Sequence, residues 1–548
     1  MTRETGLGMA MSDMLVINAV IRTMAQVRPT AEAMLIRAGR VHAVGSEGEM
    51  RRLAVQGASV LDAGGRMILP GFHDTHIHHI EGGHHYVEGA DLSACGGPDA
   101  IVEELRSFAA KSDRPWIYGA FYEQSRLHIG NLDRHLLDRA VPDRPCMVVS
   151  ADGHNGCINS FAINLLDIGD ETPDPPEGHF VRDAGGHATG LLYETAVDWV
   201  NKRRPEATEG ELEEGVRFAQ SLENGFGITS VLDAKINEKF AKVYNRMAAC
   251  GELTSRVVAT ALVRPGEGAE AAVKRLDAMR VEATNPMFRV HSAKFFFDGV
   301  IENRTAAMIA PYADAEGGNA PLMFDPADIE RLFIAFDAAR FQIHVHAIGD
   351  LAVRASLDGM EAARKANGVW PSRHHIAHIQ FIDPADIPRF AALGVVANVQ
   401  PLWAHHGTSV DELAAEVVGP ERSAYMYAFR SLRDAGAEMV LSSDWTVSTC
   451  NPFEIIETAI TRQAAGEHST LPPFLPEQAL TIEECVYGYT IGAARSAWRD
   501  HETGSLEPGK LADFIVIDQD IFACKPEAIG QTKVLATYLG GALVYGGL

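Results

Sequence analysis

The stretch LPGFHDTHIHH, residues 69–79, decides how this chain is read. An apolar run reaches Leu69 and breaks at Pro70–Gly71. Four histidines and an aspartate then fall within the seven positions 73–79. A histidine-rich surface turn is the plain alternative, and an HxH pair by itself is weak: with 22 histidines in 548 residues, about one such pair arises by chance. Position gives the pair its force. His76 and His78 stand two apart where a strand should end, so their side chains leave the same face.

Working outward, apolar β-rich runs recur along the middle of the chain. Eight are read as core strands, centred on residues 67–78, 227–234, 256–263, 289–297, 342–348, 373–380, 395–401 and 438–445. Amphipathic stretches such as DIERLFIAFDAAR and LAVRASLDGMEAARKA lie between several of them, with apolar residues at helical spacing. Strand and helix alternating eight times is the pattern of an α/β fold, a parallel (β/α)8 TIM barrel, which the family resemblance given below implies is distorted. The two chain ends differ. DMLVINAVIRTM and SVLDAGGRMILPGF at one end, GSLEPGKLADFIVIDQD and VLATYLGGALVYGG at the other, alternate like short strands. They predict one small sheet domain assembled from both termini, 1–68 and 491–548, flanking a barrel over 69–490; the family resemblance given below implies that it is a β-sandwich. About 150 residues separate the first two barrel strands, far more than a loop and a helix require. A large insertion over about 85–220, with its own β runs WIYGAFYE and CMVVSADGH and the Pro/Asp-rich DETPDPPEGH, is therefore expected on the C-terminal rim.

The net charge of −25 argues against nucleic acid and anionic membranes as partners, since both need basic patches. Seven scattered cysteines without a CxxC pair are not a disulfide framework, and a reducing cytoplasm is the expected location. The opening MTRETGLGMAMSDMLV lacks the basic and apolar regions of a signal peptide. Several early methionines leave the true start open. No run approaches the roughly 20 apolar residues of a membrane span.

Four further polar residues sit at the expected C-terminal ends of other strands: Lys294 in SAKFFFDG, His346 in HVHAIGD, His378 in RHHIAHIQ and Asp444 in LSSDW. Five strands thus aim nitrogen or oxygen at one mouth, and imidazole with carboxylate suits zinc. Of the pairs His344/His346 and His374/His378, the later member lies nearer the rim, so the earlier one is expected to be buried and hydrogen-bonded. His79, His84 and His85 follow the strand and read as exposed or supporting loop histidines. Lys294, flanked by Ala293 and three phenylalanines, is costly as a buried ammonium. It pairs with a carboxylate such as Asp298 or Glu302, or burial depresses its pKa and the neutral amine captures carbon dioxide as a carbamate.

These stretches, with NPFEIIETAITR and the closing GSLEPGKLADFIVID, resemble the amidohydrolase superfamily, in particular the amidohydrolase-3 branch that includes N-substituted formamide deformylases and related metal-dependent hydrolases. The resemblance covers nearly the whole chain. It implies one or two divalent metals, usually zinc, with Mn2+ or another dication as an alternative. It implies that His76 and His78 hold the more buried metal, that His346 and His378 hold the second, that Lys294 bridges them as N6-carboxylysine, and that Asp444 binds metal while handling protons. His73 stands where the branch usually has an aliphatic residue and is expected to point away. His154 in DGHNGCINS resembles a histidine near the active site of this branch, with Asn159 following it. TGLLYETA carries Glu194, either structural or functional. Tyr122, Trp403 and Trp445 are candidates to wall a substrate pocket.

The expected activity is hydrolysis of a non-peptide carbon–nitrogen bond in a small amide, N-formyl or N-acyl amine. A metal would lower the pKa of water, Asp444 would shuttle the proton, and His154 would contact substrate or the developing oxyanion. The alternatives are a mononuclear deaminase, a cyclic-imide, ester or lactone hydrolase, and a non-enzymatic metal-binding regulatory barrel. A homo-oligomer, most simply a dimer, is expected by analogy of fold alone.

Overall fold

A computed structural model describes residues 13–127, 131–176, 178–313, 318–466 and 471–548. Most of the N-terminal stretch expected to carry no signal peptide, and Glu177 of the Pro/Asp-rich loop, lie outside the described residues.

Eight strands form one parallel sheet in chain order: β1 (Phe72–Ile77), β2 (Ile228–Ile236), β3 (Arg256–Leu262), β4 (Phe288–Phe296), β5 (Gln342–Ala347), β6 (His375–His378), β7 (Val396–Val399) and β8 (Glu438–Leu441). The ring closes between the first and last strands just beyond β8, where Asp444 N donates to His76 O at 2.9 Å and His78 N to Trp445 O at 2.7 Å. The registers slip along β1–β2, β2–β3 and β3–β4, which gives the barrel its distortion.

The connecting helices form for local reasons. Pro326–Ala338 starts at Asp325, whose carboxylate accepts from Ala327 N, with Pro326 at the first helical position. It buries Ile329, Leu332, Phe333 and Phe336 at helical spacing. These meet Phe295, Ile343 and Val345 from the outer faces of β4 and β5 in the main apolar core. That core lies outside the ring, between strands and helices. The inner face is polar instead: Thr260, Ser292, Gln342, His344, His375, Asn398 and Ser442 are all buried; register pairs Thr260 with Ser292, Ser292 with Gln342 and His344 with His375, and Ser442 Oγ donates to Asn398 Oδ1.

The expected first strand, 67–78, is two strands. Met67–Pro70 belongs to the small domain, pairing with Val20–Arg22 and Phe514–Ile517, and β1 begins only at Phe72. Gly71 makes the transfer. Its amide donates to Asp513 O, and a Cβ there would lie 2.3 Å from Thr229 Oγ1. Two small sheets pack around Val16, Ile36, Ile68, Phe514, Val516 and Tyr538, so both chain ends build the sandwich. The buried pair Arg256–Asp513, 2.8 Å, ties it to the barrel.

After β1 the chain enters the helix His79–Glu88, which packs on Glu209–Gly225 ahead of β2. The helices approach so closely at Gly83 and Gly215 that a Cβ on Gly83 would sit 2.1 Å from Gly215 O. Between them lies a six-stranded mixed sheet in the order Gly178–Arg182, Ala188–Glu194, Asn155–Ile158, Cys146–Ser150, Ile117–Tyr122, Ala90–Asp91. Two apolar clusters of its own pack against it. Among the described residues, no helix is long and apolar enough to cross a membrane.

Candidate metal centre

The C-terminal ends of β1, β4, β5, β6 and β8 deliver the six residues singled out in the sequence. His76 Nε2 lies 3.4 Å and His78 Nε2 3.2 Å from Asp444 Oδ1. His378 Nδ1 is 3.8 Å from Asp444 Oδ2. The His346 and His378 rings are 4.4 Å apart between centroids, and the His76 and His378 rings 4.9 Å. His76, His78 and Asp444 form a group whose ligand atoms all lie within 4.8 Å of one another. Both His378 and Asp444 adopt left-handed backbone, with φ of 77° and 54°. For non-glycine residues this costs on the order of 1–3 kcal/mol each and concentrates at functional sites.

The electrostatics are those of a dry site. Burial, reinforced by Lys294 and neighbouring imidazoles, holds His76 and His344 well below the usual histidine range. Burial, with His378 and His154 nearby, does the same to His346. Burial pulls His378 to about 4 against the field of Asp444. These rings are therefore neutral at pH 7, the form a metal needs. Asp444 is pushed up by burial, but the hydrogen bond from His78 and the fields of His378, His78 and Lys294 outweigh this, and its carboxyl stays low. Burial lowers Lys294 to about 7 although Asp444 opposes it. Among the described residues its Nζ has no hydrogen-bond partner, and it lies 4.5 Å over the Phe296 ring. The salt bridge to Asp298 does not form; Asp298 instead accepts from the amides of Ala307, Ile348 and Gly349. Nor does Lys294 pair with Glu302.

The donor set fits a divalent cation. Among the described residues, His378 Nε2 and Lys294 Nζ are buried polar atoms without hydrogen-bond partners, and buried groups of this kind call for a ligand. The tautomers agree. His378 Nδ1 is engaged by Gln400 Oε1 at 3.0 Å, which puts its proton there and leaves the lone pair on Nε2. His346 Nε2 faces Gly299 O at 3.4 Å, leaving Nδ1.

The remaining expectations divide. His154 lies at the mouth, its ring 5.6 Å from that of His346. Glu194 Oε2 sits 2.6 Å from its Nδ1, and Thr305 Oγ1 donates to Glu194 Oε1 at 2.6 Å. Burial disfavours the imidazolium, but Glu194 more than compensates and raises His154 to about 9. Trp403 stacks on His378 at 5.8 Å and 22°. Trp445 is buried and stacks on Tyr86 of the adjoining helix. Tyr122 lies in the core of the inserted sheet with its hydroxyl on Asn131 Oδ1; an irregularity between Ala120 and Tyr122 breaks the alternation of its strand and sets it in a different apolar cluster from Tyr118 and Ala120. Asn159 caps the helix Ser160–Leu165. His79 and His84 are buried helix residues rather than loop ones; His79 Nδ1 lies 2.7 Å from the buried Glu223. His73 is buried with neither ring nitrogen bonded. Gln400, Asn398 and Ser442 were not anticipated. Gln400 Nε2 donates to Ser442 Oγ and Ser442 Oγ to Asn398 Oδ1, fixing the carbonyl that orients His378. Polar residues two apart at the end of VVANVQP are the signal that marks them.

A parallel β/α ring with neutral imidazoles and a carboxylate gathered at its C-terminal mouth is the architecture of a metal-dependent hydrolase. The comparisons agree. The sequence profile described as "Amidohydrolase family" matches residues 59–545, and the chain belongs to that family. It is 28% identical to the N-substituted formamide deformylase of Arthrobacter pascens, over 98% of each chain. It is also 28% identical to Protein LONG AFTER FAR-RED 3 of Arabidopsis thaliana, over 97% of this chain and 92% of that protein. Among solved structures, an uncharacterized metal-dependent hydrolase from Pyrococcus horikoshii OT3 superposes with a TM-score of 0.75 at 23% identity, covering 94% of this chain and 99% of the other.

Proposed function

We propose that this protein hydrolyses a non-peptide carbon–nitrogen bond in a small amide, N-formyl or N-acyl amine, with Asp444 as the proton shuttle. The observation that carries the reading is the approach of His76, His78 and His378 to one buried, ionised aspartate, with His346 and Lys294 beside them. Similarity to a formamide deformylase along the full chain supports the N-formyl class. A divalent cation, zinc by its donor set or Mn2+ in its place, would be held by these residues and would supply Lewis acidity and a lowered pKa for water.

The chain's own groups do the rest. Asp444, a carboxylate at neutral pH, accepts the proton of the attacking water and delivers it to the leaving nitrogen, base first and acid second. His154, held cationic by Glu194, offers an N–H to the oxygen that gains charge. Trp403, against His378, flanks the substituent nearest the second pair of histidines. Lys294, with a pKa of about 7, presents a neutral amine in quantity at physiological pH; its nitrogen bonds to the carbon of carbon dioxide, a proton leaves, and an anionic two-oxygen ligand results.

A one-metal centre is favoured by a separate observation: among the described residues, His76, His78 and Asp444 are the only three-donor group of histidine, cysteine and carboxylate within 4.8 Å. In that version Lys294 stays an amine, and deamination joins the candidate reactions.

One experiment tests both versions. Metal content is measured on the same sample that is screened against N-formyl, N-acetyl and N-acyl-amino compounds and cyclic imides, before and after chelation and after Zn2+ or Mn2+ is returned. Loss and recovery of amide cleavage is the expected result, and full turnover by metal-free protein overturns it. Two equivalents of metal with bicarbonate-dependent recovery select the bridged centre; one equivalent without it selects the other. A small-molecule substrate and a dimeric assembly in the cytoplasm complete the proposal.

A further inference from the structure

The His76 ring has two nitrogens, and only one faces Asp444. Nδ1 lies 2.8 Å from Nε2 of His344, a residue assigned no part in the site above. Both rings are buried, their centroids 4.8 Å apart. His344 is on β5, two residues before His346, and its register neighbours are Lys294 on β4 and His375 on β6. A neutral imidazole in that place has one lone pair and one N–H to place.

We propose that His344 is a positioning residue for the metal centre: by accepting the Nδ1–H of His76, it fixes the tautomer that turns the His76 Nε2 lone pair toward Asp444. The inference rests on the metal-centre reading. Where a metal-ligating histidine is fixed from behind, the partner is ordinarily a carboxylate, carbonyl or water. Here the barrel interior offers a neutral imidazole. The choice has a geometric reason. The inner face below the ligands is a packed polar layer in which Gln342 contacts His375 at 3.2 Å and Asn398 donates to Thr75 O. A carboxylate added there would bring a charge into a fully buried layer, at a desolvation cost. An imidazole provides the acceptor without the charge. With Nε2 accepting, its own proton sits on Nδ1, a buried atom with no hydrogen-bond partner. The arrangement thus leaves one polar atom unsatisfied in order to orient another.

Three substitutions separate this role from simple packing. In H344Q the amide oxygen reaches about as far as Nε2 and retains an acceptor. In H344N the oxygen stops short, and H344L has none. Zn2+ affinity is measured by competition with a chromophoric chelator, and the thermal midpoint of each metal-free protein is measured alongside. H344L and H344N are expected to bind Zn2+ about 10–100-fold more weakly, with H344Q within a few-fold of the parent. H374Q serves as a control. It removes a buried histidine on the same side of the barrel, bonded to Asp337 and not to the site, and should leave Zn2+ affinity unchanged. Parent-like Zn2+ affinity in H344L overturns the proposal, as does an H344Q protein that folds like the parent and binds as weakly as H344L. If H344L does not fold, the contrast between H344Q and H344N decides. If the parent itself binds no Zn2+, the metal-centre reading fails, and this inference with it.

Discussion

Replacing Lys294 by methionine should stabilise the metal-free protein. Its ordinary pKa of 10.5 falls to about 7 in the fold because the site is dry, and no partner takes its ammonium. At 1.36 kcal/mol per pKa unit, this difference amounts to about 5 kcal/mol of instability at or below pH 7. Between the two values the unfolded chain holds a proton that the folded chain has released, so stability rises with pH across that window and the penalty is gone above about pH 10.5. Methionine keeps the length and volume of the stem, and the packing change should stay under about 1.5 kcal/mol. Lysine also helps to hold Asp444 ionised, which offsets part of the gain. K294M should therefore be more stable than the parent by roughly 2–4 kcal/mol near neutrality, with the advantage shrinking toward pH 10 while hydrolysis is lost. The assay is urea unfolding of both proteins, freed of metal and bicarbonate, at about pH 6, 8 and 10. Most buried substitutions destabilise, so the sign is informative. A K294M protein weaker than the parent at pH 6, or a gain that does not change with pH, would refute the reasoning.

Three other outcomes are expected. D444N should keep its thermal midpoint yet lose about 10^3-fold in kcat, the usual weight of a positioned acid–base group; near-parental kcat removes Asp444 from proton transfer. E194Q takes away the carboxylate that holds His154 at about 9, so the imidazolium present below that pH in the parent should vanish at a pH at least two units lower. The alkaline limb of kcat/KM reports this, and an unmoved limb dissociates His154 from turnover. D513A leaves the Arg256 guanidinium buried without its carboxylate, a loss on the order of 3–5 kcal/mol visible in the denaturant midpoint. Arg256 outweighs burial and keeps Asp513 below its ordinary 3.8. Its contribution is thus present above that pH and fades as the pH falls through the lower folded value.

Much of the site was legible because the barrel turns a linear pattern into a ring. Period-two alternation gave the strands, and a polar residue where each apolar run ended gave His346, His378 and Asp444. What stayed hidden has physical reasons. The Pro70–Gly71 break reads as a turn and does not reveal a change of sheet, because Met67–Pro70 and Phe72–Ile77 are both extended and fully buried with one residue between them. Tyr122 and Trp445 are aromatics whose direction depends on which face of a strand or seam they leave, and composition does not carry that. His79 and His84 read as loop residues because GGHH has weak helix propensity; the close approach of Gly83 to Gly215 is what makes a helix there worthwhile. Gln400 and His344 carry no motif of their own. They matter through the ring nitrogens they face, and only folded geometry shows which nitrogen that is.

The seam that closes the ring bears on how the protein is put together. The backbone atoms joining first strand to last belong to His76, His78, Asp444 and Trp445, so three of the prospective ligands also form the clasp of the barrel. An ion seated there fastens two segments more than 360 residues apart in the chain. An ion held there would reinforce a closure that the backbone already makes, and stripping it should loosen the hoop at the proposed centre.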